Sequence, residues 1–138
     1  MSGIDFSSEG GKRALERLEH EQVIWLTTVS SKGKPQSSPV WFLWRDETFV
    51  IYSQPDMPKL KAIRRNSHVS LHLNSSETGK DIVIFEGTAQ IVGENSPGTD
   101  DSEYVGKYTR LIEGWTPDEF AASFSVKLIG TPTSMRNY

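Results

Sequence analysis

The sequence contains no cysteine, which excludes disulfide bonds, thiolate nucleophiles and cysteine-ligated metal sites. It also lacks an apolar run of about 18 residues, the length that a membrane-spanning helix needs, and it lacks a basic and then apolar leader. From these absences we expect a cytoplasmic protein without membrane contacts. The net charge of −3 gives no reason to expect nucleic-acid binding.

Familiar catalytic motifs are missing as well. No nucleophile elbow, HExxH zinc motif, P-loop or GxGxxG fingerprint occurs in the sequence. His68 and His72 share one face of a predicted strand, but no third ligand lies at a usual spacing, so we predict no metal site. Glu86 has no evident partner for acid–base work, and we predict no catalytic side chain. Such a protein would leave its chemistry to a bound cofactor.

The 138 residues fit one domain, residues 1–138, with an N-terminal helix within 1–21 and a loop with a helical insertion at 93–122. Segments rich in β-branched and aromatic residues predict six strands. They span residues 23–30, 36–44, 48–53, 68–74, 81–92 and 124–129. Tight turns join the first three strands into a meander, and Gly87 predicts a bulge. We therefore predict a mainly β fold, a six-stranded antiparallel barrel with flanking helices.

Several strands are apolar on both faces, so each needs a second covering besides the barrel interior. A homodimer would supply that covering. The insertion contains a predicted second helix that begins at Thr116-Pro117-Asp118-Glu119, where threonine caps and proline occupies the first position.

A short helix with four cations is predicted between Pro58 and Asn66, with Asp56 as its cap. The cations are Lys59, Lys61, Arg64 and Arg65. The first-turn N–H groups of a helix are unpaired and its dipole favours anions, so a lysine there can help to hold a phosphate. The alternative is a solvated helix face, which such clusters often form.

Pro39 interrupts the predicted second strand. Because proline has no N–H to donate, its position should lie at a sheet edge or at a break. An interrupted strand leaves backbone groups free to bond the edge of a planar heterocycle. The alternative for Pro39–Phe42 is an ordinary buried central strand.

Residues 33–66 resemble the corresponding region of the pyridoxamine 5′-phosphate oxidase-like split β-barrel flavin and deazaflavin oxidoreductases. The matching positions are Gly33, Pro35, Pro39–Phe42, Tyr52, Ser53, Lys59 and Ile63–Asn66. The similarity extends from Val23 to Arg136 and points to the small actinobacterial branch that uses the deazaflavin coenzyme F420. The resemblance implies a homodimer with two cofactor sites at the interface, for coenzyme F420 or, as the alternative, FMN.

The resemblance also assigns cofactor-binding residues position by position. These are Ser38, Pro39, Val40, Trp41, Ser53, Lys59, Lys61 and Arg64. The backbone of residues 38–41 would contact the ring, and Ser53 and Lys59 would hold the phosphate. Lys61 or Arg64 would help to hold the phosphate or would bind an acidic tail of the cofactor. Trp115 is a candidate for the wall that the partner subunit contributes.

Two departures separate this chain from oxidases that act on pyridoxine phosphate. Those proteins resemble one another in a Gln-x-x-x-Glu-Gly strand, whereas here Ile82 occupies the glutamine position before Glu86-Gly87. Their C-terminal Arg-x-x-Pro-type segment has no counterpart in residues 135–138. Both departures predict that vitamin B6 oxidation is not the activity, and the first weakens the expectation of FMN.

Three functions follow as hypotheses. The first is a reductase that transfers a hydride from reduced deazaflavin to a small, planar, conjugated acceptor. The second is an FMN-binding flavoprotein of the same fold. The third is a binding module that stores or carries a cofactor or haem without turnover.

Overall fold

A computed structural model describes residues 4–108 and 123–138 of the chain. The helices are α1 (Glu9–His20), α2 (Pro58–Arg65) and α3 (Ser102–Tyr108). The strands are β1 (Val23–Val29), β2 (Pro35–Trp41), β3 (Leu43–Arg45), β4 (Thr48–Ser53), β5 (His68–His72), β6 (Val83–Gly93) and β7 (Val126–Asn137). A short 3-10 helix, Gly98–Asp100, precedes α3. The predicted helix at Thr116 and the candidate wall residue Trp115 lie outside the described residues.

The strands form one antiparallel sheet in the order β2-β1-β5-β6-β7-β4-β3 within the described part of the chain. Its two edge strands, β2 and β3, are consecutive in the sequence and only Phe42 separates them. The sheet must therefore curl until its edges come together, which gives a barrel that is split between β2 and β3. The mainly β, antiparallel barrel with flanking helices is confirmed.

The number of strands differs from the prediction. Among the described residues there are seven, because the predicted strand 36–44 is two strands that meet at Phe42. The first part pairs with β1 and the second pairs with β4, so the predicted meander is broken at that residue. Pro39 lies within β2 at the sheet edge, as expected for a residue that cannot donate to a second neighbour.

The barrel interior is aromatic. Phe85 of β6 packs edge to face against Phe49 of β4, with ring centroids 5.2 Å apart, and Trp44 of β3 covers both rings. Helix α1 buries Ala14 and Leu18 against this core, which confirms the amphipathic N-terminal helix. The core thereby joins the short strand β3 to the rest of the sheet.

The register between β6 and β7 shifts at Glu86/Gly87, so an irregularity occurs at the predicted position, and its extra residue is Thr133 on β7. A Cβ at Gly87 would lie 2.2 Å from the carbonyl oxygen of Thr131, and only glycine fits this close approach. Beyond the bulge β7 continues to Asn137, well past the predicted end at 129. Pro132 is tolerated there because β4 pairs with β7 only as far as Gly130.

The predicted helix cap at Asp56 is wrong. Met57 is the N-cap of α2 and no side chain bonds to the first-turn N–H groups, while Asp56 adopts a positive φ of 62° in the preceding turn. Pro58 has no N–H and the N–H of Leu60 donates to the Met57 carbonyl over 3.0 Å, so Lys59 supplies the one first-turn N–H without a partner among the described residues. In the described ranges, 4–108 and 123–138, no helix is both long and apolar enough to cross a membrane.

Candidate functional site

A cleft of about 420 Å³ opens where β2, the end of β4 and the start of α2 meet α3. It is bounded by Pro39, Val40, Trp41, Tyr52, Ser53, Gln54, Met57, Lys59, Tyr104 and Phe124. Most of this lining is aromatic or apolar, and we call the cleft the aromatic chamber. Its volume lies in the range typical of small-molecule sites.

A second cavity of about 220 Å³ adjoins the first and shares Met57 and Lys59 with it. Its other lining residues are Thr28, Gln36, Ser37, Ser38 and Pro58. We call it the polar chamber. Thr28 is only 1% exposed and carries a hydroxyl into the lining of this chamber.

Lys59 stands between the two chambers at the second position of α2. It is half-buried, and burial lowers the pKa of its ammonium group. The first turn of α2 contains no acidic residue, and no carboxylate pairs with Lys59 within the described residues. A partly desolvated cation at the start of a helix is a strong attractor for an anion.

The other two predicted cations lie elsewhere. Lys61 is exposed and lines neither chamber. Arg64 borders a separate, open hollow of about 710 Å³ on the far side of α2 and forms an ion pair with Glu94. Although this hollow is larger, its one described cation is already neutralised, so it offers less to an anion than the two chambers.

The structure thus brings six of the predicted residues together around the joined chambers. They are Ser38, Pro39, Val40, Trp41, Ser53 and Lys59. The prediction missed nine further lining residues: Tyr52, Gln54, Met57, Tyr104 and Phe124 in the aromatic chamber, and Thr28, Gln36, Ser37 and Pro58 in the polar chamber. Tyr104 and Tyr108 are four residues apart, and this spacing in the sequence could have indicated that α3 buries one aromatic face.

The break at Phe42 is sealed by α3. The N–H of Phe42 donates to the Tyr108 hydroxyl over 2.7 Å, and the Phe42 carbonyl accepts from Lys107 Nζ over 2.6 Å. The Tyr108 ring also stacks on Trp41, with centroids 4.4 Å apart and planes 1° from parallel. The backbone at Phe42 is therefore not free for a ligand, and Tyr108 fixes the Trp41 wall.

Burial lowers the pKa of Lys107 to about 8 from 10.5, and the nearby Glu21 opposes this shift only in part.

Above pH 8 the folded protein releases a proton from Lys107 that the unfolded chain retains, so the free energy of unfolding should rise between about pH 8 and 10. Because Lys107 is partly exposed, we expect a gain of about 1 kcal/mol. Urea unfolding at pH 7.5 and 9.5 measures it, and Lys107→Met should remove it. An equal rise in the variant would contradict this assignment.

Comparisons with known proteins give a family match over most of the chain. Residues 11–127 match the family described as pyridoxamine 5′-phosphate oxidase. Among curated proteins, none matches this sequence. Within residues 4–108 and 123–138, no group of three or more histidine or acidic side chains could hold a metal ion.

Solved structures share the fold at low sequence identity. An F420 reductase is 22% identical with a TM-score of 0.69, over 88% of this chain and 94% of that one. General stress protein 26 of Bacillus anthracis is 19% identical with a TM-score of 0.67, over 91% of each chain. The haem-storage protein of Vibrio cholerae is 16% identical with a TM-score of 0.64, over 91% of this chain and 92% of that one. Since the family match spans most of the sequence, the chain belongs to the pyridoxamine 5′-phosphate oxidase family.

Proposed function

We propose that this protein is an oxidoreductase that binds the deazaflavin coenzyme F420 and reduces a small, planar, conjugated acceptor. One observation carries the proposal: Lys59, a half-buried cation with no acidic partner among residues 4–108 and 123–138, stands between a polar and an aromatic chamber. A ligand with a phosphate at one end and a flat ring at the other fits that arrangement. The coenzyme, when bound, would supply the hydride.

The polar chamber suits the phosphate end. The Lys59 ammonium and backbone N–H at the start of α2 and the Thr28 hydroxyl of β1 are donors on two elements of the fold. Ser38 adds a second hydroxyl from β2, and Ser53 borders the aromatic chamber nearby. Lys61 is exposed and Arg64 is paired with Glu94, so this proposal assigns neither of them to the ligand.

The aromatic chamber suits the ring end. Trp41 is held flat by the stacked ring of Tyr108, and Tyr104 forms a second wall. These side chains would orient the ring and exclude water, and they would hold the acceptor close to it. The site residues bind and position, and we assign no proton transfer to any of them; the proton would come from solvent.

A homodimer is part of the proposal. Val23, Trp25 and Val29 point away from the barrel interior along β1 and remain partly exposed. They lie beside the edge strand β2, where Trp25 is paired with Pro39. A second copy on this face would cover these apolar side chains and would close the open side of both chambers.

Two other functions have specific support. FMN is the alternative cofactor, because the family match is to an oxidase family and both cofactors carry a phosphate and a ring. A carrier without turnover is favoured by the likeness to the haem-storage protein, which has the same fold.

Parallel titrations decide among these functions. Trp41 lines the aromatic chamber, so a bound ring should quench tryptophan fluorescence, and we expect F420 to bind at least about tenfold more tightly than FMN, about 1.4 kcal/mol. Turnover of an acceptor panel by the reduced coenzyme would then exclude a pure carrier. Tighter binding of FMN would move the protein to the flavin class. Binding of haemin alone, seen as a visible absorption band, would favour storage, and binding of none would refute the proposed function.

A further inference from the structure

Asp101 joins three elements around the aromatic chamber without lining the chamber itself. Its carboxylate accepts two hydrogen bonds from Arg45 of β3, at 3.0 and 2.9 Å. It also accepts a hydrogen bond from the Tyr52 hydroxyl of β4 at 3.1 Å and one from the backbone N–H of Tyr104 in α3 at 3.3 Å. One side chain therefore connects two strands of the sheet to the helix above them.

The two tyrosines that Asp101 contacts are both walls of the aromatic chamber. Their rings meet edge to face, with centroids 4.7 Å apart and planes inclined by 70°. Asp101 fixes the position of Tyr52 through its hydroxyl. It fixes Tyr104 through the helix start, since it accepts from the third residue of α3 as an N-cap side chain does. The spacing between the two rings thus depends on this carboxylate.

The electrostatic surroundings keep Asp101 charged. The side chain is only 9% exposed, and that burial raises the pKa of the carboxyl, but the bonds from Arg45, Tyr104 and Tyr52 outweigh burial, and the net shift is downward. The same contact raises the pKa of Arg45. A permanently charged, hydrogen-bonded pair with planar two-point geometry is a rigid connection.

We propose that Asp101 is a positioning residue that sets the width of the aromatic chamber and so determines affinity for the ring of the ligand, not for its phosphate. The inference rests on the proposed function for the identity of the ligand. Asp101, Tyr52 and Tyr104 do not line the polar chamber, where Lys59 and Thr28 lie. Substitution of Asp101 should therefore change the affinity for the ring and leave the affinity for the phosphate unchanged.

Glu103 provides a matched control. Its carboxylate contacts the same arginine at 3.3 Å, but it is 64% exposed and forms no hydrogen bond to Tyr52 or Tyr104. Each of the substitutions Glu103→Gln and Asp101→Asn removes the negative charge of one acidic partner of Arg45. Only Asp101→Asn changes the carboxylate that holds Tyr52 and Tyr104.

The experiment measures F420, FMN, riboflavin and inorganic phosphate binding to wild type, Asp101→Asn and Glu103→Gln. We expect Asp101→Asn to weaken the binding of the three ring ligands about tenfold, which corresponds to the energy of one good hydrogen bond. The affinity for inorganic phosphate should not change. Glu103→Gln should change neither. Equal ring affinity in folded Asp101→Asn, or an equal loss of phosphate affinity, would overturn the inference. If Asp101→Asn does not fold, Tyr52→Phe decides, because it removes only the hydroxyl that donates to Asp101 and should weaken ring binding severalfold.

Hydrogen exchange separates this inference from the proposed function. If wild type binds no ring ligand, the proposed function fails, and the Asp101 inference is judged by backbone exchange alone. Residues 98–108 should then exchange faster in Asp101→Asn than in Glu103→Gln. Equal protection in the two variants would overturn the inference.

Discussion

Lys59→Ala should weaken the binding of coenzyme F420, or of FMN, about ten- to hundredfold. The substitution removes the one described cation that borders both chambers. A charge-assisted hydrogen bond to a phosphate contributes about 1.5–3 kcal/mol, which corresponds to that range of dissociation constants. Because Lys59 is half-buried and its pKa is lowered by burial, the wild-type ammonium gains more from a bound anion than a solvated lysine would.

Lys61→Ala is the control for Lys59→Ala. It removes the same charge from the same helix, two residues away, where the side chain is exposed and lines neither chamber. We expect less than about a twofold change, because exposed charges interact weakly through solvent. Equal losses in the two variants would mean that general charge attraction, and not a built site, binds the ligand.

The position of the phosphate can be tested with the same variant. Riboflavin has the ring and lacks the phosphate, so Lys59→Ala should reduce its affinity far less than that of FMN. If both ligands lose affinity equally, Lys59 contacts the ring, and the assignment of the polar chamber to the phosphate is wrong. Fluorescence titrations of wild type and of Lys59→Ala with FMN and with riboflavin give the four dissociation constants.

Local rules were sufficient for much of the fold, and the family resemblance supplied six of the fifteen residues that line the two chambers. The lack of an N–H in Pro39 dictates an edge position, and β2 is an edge strand. The missing side chain of Gly87 permits the bulge opposite Thr131. Helix geometry explains why the cations of α2 separate: at about 100° per residue, Lys59 and Arg64 point about 140° apart. Only Lys59 can therefore face the chambers while Arg64 turns to Glu94.

Long-range contacts account for what the sequence did not predict. Nothing near Phe42 in the sequence indicates that its backbone groups bond to Tyr108 and Lys107, which lie more than 60 residues away. The role of Asp101 is equally hidden, because Arg45 and Tyr52 reach it from separate strands. The Asp56 cap was wrong because the turn before α2 takes a positive φ at that residue and moves the helix start to Met57.

Phe85→Ala should cost about 3–5 kcal/mol of the free energy of unfolding, a large share of the 5–15 kcal/mol that a domain of this kind has. Phe85 is fully buried and contacts both Phe49 and Trp44, so its loss leaves a cavity in the middle of the barrel. Urea unfolding followed by fluorescence and circular dichroism measures the change. Phe85→Leu should cost about 1–2 kcal/mol, because most of the volume remains.

The cavity left by Phe85→Ala should also weaken binding at the ligand site. Trp44 packs on Phe85, and the next residue of β3 is Arg45, which holds Asp101. If the core anchors β3, Phe85→Ala should weaken ring binding in the protein that remains folded at low temperature, while Phe85→Leu should bind the ring almost as wild type does. Unchanged ring affinity in folded Phe85→Ala would show that Asp101 and its tyrosines keep their places without support from the barrel interior.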